Sequence, residues 1–137
     1  MINIKWSLLC RQVEKSPDGI GNNFLGVIEN YYAEHVPYQI DQMTVVLRAE
    51  SSESLLGVIE LKILLGDHAL WRTDPRVEHF AIDDPHDPVL IKTIAIILRP
   101  VILPAYGEYS VAALVNDQII HTSSFRLLQR KPPINAN

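Results

Sequence analysis

The sequence has little of what small secreted, metal-stapled or catalytic domains rely on. Its single cysteine, Cys10, excludes an intramolecular disulfide and any multi-cysteine zinc motif, which fits a reducing compartment. At 137 residues the chain needs neither staple, because folding at this size buries roughly two-thirds of the surface the unfolded chain exposes. Basic runs are also missing. Twelve Lys and Arg face sixteen Asp and Glu, for a net charge of -4, and Arg130 and Lys131 are the only adjacent basic pair. A nucleic-acid-binding stripe would concentrate positive charge on one face, so no nucleic-acid partner is expected. The longest aliphatic stretch meets Arg99 and Pro100 well short of the roughly 18 apolar residues of a membrane span. A lipoprotein leader ending at Cys10 is excluded as well, since Lys5 interrupts its apolar segment and Leu9 is large where a small residue belongs. The expectation is a cytoplasmic protein with no membrane association.

Catalytic signatures are absent too. No Gly-x-Ser-x-Gly elbow, phosphate-binding loop or dinucleotide fingerprint occurs. His35, His68, His79, His86 and His121 lack the short paired spacings of zinc ligands, and Cys10 reads as a small buried hydrophobe. No enzyme activity, cofactor or metal is therefore expected.

What the chain does have is two-residue periodicity. Ile2, Ile4, Trp6, Leu8 and Cys10 alternate with polar residues, which predicts a first strand with one buried face. Pro17, Asp18 and Gly19 predict a reversal, and residues 22–29 a returning strand in which Gly26 marks a bulge or a close backbone approach. Residues 42–49 and 55–65 alternate again; Gly57 and the two-residue period favour a strand over a helix in the second. Residues 92–128 read as a meander whose tightest turn is Asn116 and Asp117, side chains that tolerate left-handed backbone. Eight or nine short strands with no convincing helix predict an all-β, two-sheet antiparallel β-sandwich, immunoglobulin-like or C2-like. It forms one domain over residues 1–129, followed by a flexible tail over residues 130–137. The expected inward set is Ile4, Trp6, Leu8, Leu25, Val27, Val45, Leu47, Ile59, Leu61, Ile63, Ile94, Ile96, Leu98, Tyr109, Val111, Ala113, Phe125 and Leu127.

Three places carry candidate function. Residues 30–41 lose periodicity and read as a crossover loop, yet Tyr31, Tyr32 and Tyr38 fall within eight residues of one another. Such rings either seal the end of the sheets or, together with Trp71, form an aromatic binding edge for a partner or a sugar-like ligand. In residues 93–99 the core takes Ile94, Ile96 and Leu98, leaving apolar Ala95 and Ile97 on the other face. Either the strand is central and covered on both sides by its own chain, or another subunit covers that face, as in a homodimer. Asp83, Asp84 and Asp87 form the densest acidic loop and would suit calcium, but Pro85 and Pro88 account for it equally as a rigid solvated turn.

Trp6 to Cys10, then Pro17-Asp18-Gly19, Phe24 to Ile28, Pro37 and the strand Thr44 to Arg48 resemble the N-terminal half of a family of small uncharacterised bacterial β-sandwich proteins. The late Pro-x-x-Gly-x-Tyr hairpin of that family is matched by Pro104, Gly107 and Tyr109. The same hairpin occurs in immunoglobulin-like sandwiches, where the tyrosine hydroxyl bonds back to the preceding loop. The resemblance implies a fold and no activity, ligand or site residue. The reading that results is a non-enzymatic interaction or assembly module, with a small-ligand or carbohydrate-binding module as the alternative and a calcium-binding domain behind it.

Overall fold

The computed structural model describes residues 1–81, 86 and 89–131. The calcium candidates Asp83, Asp84 and Asp87 and most of the expected tail lie outside the described residues. Among the described residues there is no helix, and therefore none long and apolar enough to cross a membrane. The described chain is all-β, in thirteen strands rather than eight or nine. They are β1 (Ile2–Cys10), β2 (Gln12–Lys15), β3 (Asn22–Leu25), β4 (Asn30–Ala33), β5 (Tyr38–Ile40), β6 (Met43–Ser51) and β7 (Leu55–Leu65). The remainder are β8 (His68–Arg72), β9 (Arg76–Phe80), β10 (Leu90–Leu98), β11 (Val101–Leu103), β12 (Gly107–Val115) and β13 (Gln118–Gln129).

Strands β1, β6 and β10 make one antiparallel sheet in that order. A curled six-stranded sheet runs β4, β13, β12, β7, with β8 and β9 both paired to the far edge of β7. Two small ribbons, β2 with β3 and β5 with β11, complete the topology. Val45, Leu47, Ile94, Ile96 and Leu98 from the first sheet join Ile59, Leu61, Ile63, Tyr109, Val111, Ala113, Phe125 and Leu127 from the second in one buried cluster. Period-two patterning produces this, because every second side chain of each strand faces the same core.

The two larger sheets also meet through polar ties. Along one seam Ser7 Oγ lies 2.9 Å from His121 Nε2, beside a bond from the Ile28 amide, in the segment that leads into β4, to the Leu9 carbonyl at 2.8 Å. Along the other, Arg76 donates to the Ala95 carbonyl and Lys92 to that of His79, at 3.0 and 3.3 Å. The buried Glu78 carboxylate sits between these two cations, 2.6 Å from each.

Two turns have the chemistry their residues predict. Asn116 and Asp117 both take positive φ, 49° and 68°. The Tyr109 hydroxyl donates to the Ala105 carbonyl at 2.5 Å and accepts from the Ala105 amide at 3.2 Å, while its ring stacks on Phe125.

The first strand departs from simple alternation. A bulge between Ile4 and Trp6 adds one residue, so Ile2 and Ile4 face the core while Trp6, Leu8 and Cys10 pair with Arg48, Val46 and Thr44 on the opposite face. One inserted residue reverses every side chain beyond it. Trp6 and Leu8 are thus half-buried, and Trp6 meets Phe24 edge-on at 6.1 Å under the β2–β3 hairpin. Leu25 and Val27, expected inside, are 41% and 59% exposed, because β3 pairs only with β2 and ends at Leu25. The expected crossover over residues 30–41 contains two strands, β4 and β5, whose partners lie far along the chain.

Candidate functional site

Parallel pairing of β4 with the end of β13 puts Tyr31 opposite Leu127 and Tyr32 opposite Leu128, and pairing of β5 with β11 puts Tyr38 opposite Leu103. The chain reverses between the two strands, and the three tyrosines converge on one cleft of about 580 Å3. Tyr31 packs edge-on against Phe125 at 5.6 Å and tilts against Tyr38 at 6.4 Å. Tyr32 is 56% exposed. Ile28 and Ile40 add apolar wall, while Arg11, Gln39 and Asp41 form a polar rim.

Burial pushes the Tyr31 phenol up to about 12, helped by Tyr38 and opposed by the Arg11 cation, so the hydroxyl stays a donor throughout the physiological range. Its oxygen is buried with no hydrogen-bond partner among the described residues. On the rim, Gln39 donates to Asp41 at 3.2 Å. Gln42 is tied at both ends, donating to the Arg11 carbonyl at 3.2 Å and accepting from Arg99 at 2.8 Å. The Arg11 guanidinium forms no ion pair among the described residues. Its aliphatic stem lies over Gly26, which has φ +67° and where a Cβ would stand 3.0 Å from Arg11 Cγ and Cδ. Gly26 is therefore a close approach, and it seats Arg11 at the cleft.

Trp71 does not join the tyrosines. It is half-buried on β8, where it lines a separate groove of about 430 Å3 with Asp74, Ile96 and Ile97. Ala95 and Ile97 face outward from β10, which pairs only with β6 and is an edge strand rather than a central one. Burial pushes the Cys10 thiol up, away from nucleophilic character. Among the described residues no group of three His, Cys, Asp or Glu side chains could hold a metal ion.

Sequence reasoning missed Arg11, which nothing in its local pattern marks: hydrogen bonds with Leu25, Gly26 and Gln42 hold its backbone, and its stem lies over Gly26. Comparison with curated proteins finds no match. Residues 5–128, nearly the whole described chain, match a defined family, and the chain belongs to the family of unknown function DUF6941.

Proposed function

We propose that this chain is a non-enzymatic β-sandwich binding module of the bacterial cytoplasm, and that its tyrosine cleft takes a small, neutral, hydroxyl-rich ring of the sugar class. The observation that carries the reading is the convergence of Tyr31, Tyr32 and Tyr38 on one cleft whose volume falls in the range of small-ligand sites. Flat aromatic faces offer apolar area at low entropic cost, and the exposed Tyr32 ring is the natural platform. The rim supplies one cation, one anion and amide groups, a balance that both donates and accepts and matches hydroxyls better than a net charge. The lone buried Cys10 supports the reducing compartment.

Thermal denaturation against a panel of mono- and disaccharides tests this. At ten times its Kd, a ligand that binds only the folded state adds about 1.4 kcal/mol of stability. The melting temperature is expected to rise with at least one sugar, and the rise to vanish in Tyr32→Ala. A rise that persists in Tyr32→Ala, or no rise across the panel, contradicts the reading. A second reading, self-association, is favoured by Ile97, which is 52% exposed on the outer face of β10.

A further inference from the structure

The outer face of the three-stranded sheet is only partly covered by its own chain. On the β1 and β6 side, Cys10, Thr44 and Val46 are withdrawn from water and the β2–β3 hairpin packs against β6. Beside the hairpin, Ile97 is exposed and Ala95 half-buried, and together with Val13 they line a largely apolar groove of about 290 Å3 with Lys15 on its rim. Lys15 makes no ion pair among the described residues. Lys15 is the one charged residue in the groove lining, so the groove carries a single cation on its rim.

The tip of the same hairpin is the chemical complement of this groove. Ser16 N donates to the Gly21 carbonyl at 2.9 Å, Gly21 N to Ser16 Oγ at 3.0 Å and Ile20 N to Asp18 Oδ1 at 3.0 Å, so the turn is well bonded. It presents Ile20, 88% exposed, beside the Asp18 carboxylate, which its hydrogen bonds from Ser16 and Ile20 hold below the usual carboxylate range. Ile20 therefore buries almost none of its apolar surface within this chain.

We propose that two copies of the chain pair about a two-fold axis, each seating Ile20 in the other's Ala95–Ile97 groove and setting Asp18 against the other's Lys15. Lys15 and Asn22 form the last rung of the hairpin before its tip, and both line the groove, so knob and groove are neighbours on each copy. One rotation then satisfies both contacts at once, which closes the assembly as a dimer instead of propagating a fibre. Apolar burial supplies the attraction, while the charge pair orients the encounter and makes it salt-sensitive. The proposal does not rest on the sugar reading of the tyrosine cleft.

Light scattering across a dilution series tests it. The wild-type chain is expected to reach twice its 15.5 kDa mass and no more. Ile20→Asp and Ile97→Asp should each raise the dimer Kd by about tenfold or more, the loss expected for an interface anchor. Lys15→Glu should weaken the dimer and blunt its salt dependence. Ile20→Asp alters only an exposed turn side chain, so an unchanged far-ultraviolet spectrum separates lost pairing from lost folding. A wild-type monomer at every concentration, a dimer indifferent to Ile20→Asp, or a mass that grows past the dimer overturns the proposal.

Discussion

Tyr109 and Tyr31 both pack against Phe125, one stacked and one edge-on, yet their hydroxyls meet opposite fates. Tyr109 bonds both polar groups of Ala105, so Tyr109→Phe removes two hydrogen bonds and should cost on the order of 1 kcal/mol in chemical denaturation. An unchanged midpoint would contradict that role. Tyr31 buries a hydroxyl with no partner, so Tyr31→Phe removes an unmet desolvation cost and should be neutral or stabilising. The same phenol sets a pH dependence. Its folded-state value is raised from 10.0 to about 12, so the unfolded chain releases the proton first. Its contribution to stability is therefore complete below about pH 10 and lost as pH climbs towards 12. Denaturation midpoints compared across that window should fall less in Tyr31→Phe than in the wild type; parallel declines would remove Tyr31 as the cause.

At the scale of elements, local pattern was legible and long-range pairing was not. Alternation in Ile2, Ile4, Trp6, Leu8 and Cys10 identifies β1, but the bulge that turns its second half over leaves no mark in that pattern. Likewise β4 and β5 hold three or four residues each, too few for periodicity to register, and owe their existence to β13 and β11. Asn116 and Asp117, by contrast, announce their turn directly, because positive φ is a property of the residue itself. The β9–β10 seam is a third kind of feature, joined by side chains. Glu78 is buried between Arg76 and Lys92, both partly exposed, so the cost of breaking a fully buried pair must be discounted. Glu78→Gln should destabilise by roughly 1–3 kcal/mol in urea denaturation. A neutral result would show that the seam does not depend on this carboxylate.

For the molecule as a whole, composition and periodicity sufficed for an all-β chain, and no helix occurs among the described residues. The candidate site was legible where its residues are close in sequence: Tyr31, Tyr32 and Tyr38 are brought together by one chain reversal. Trp71 was grouped with them on aromatic character alone, and aromatic character carries no position. Arg11 is placed at the same cleft by tertiary contacts, with Gly26 and Gln42 among them. The central claim is that this cleft binds a small ring-bearing ligand, and a residue-resolved amide titration by nuclear magnetic resonance tests it most directly. Addition of the sugar that most raises the melting temperature should shift amides in Asn30–Ala33 and Tyr38–Ile40, together with Arg11, and leave the β7–β9 edge unmoved. Shifts spread over the whole surface, or confined to the groove beside Trp71, would contradict it.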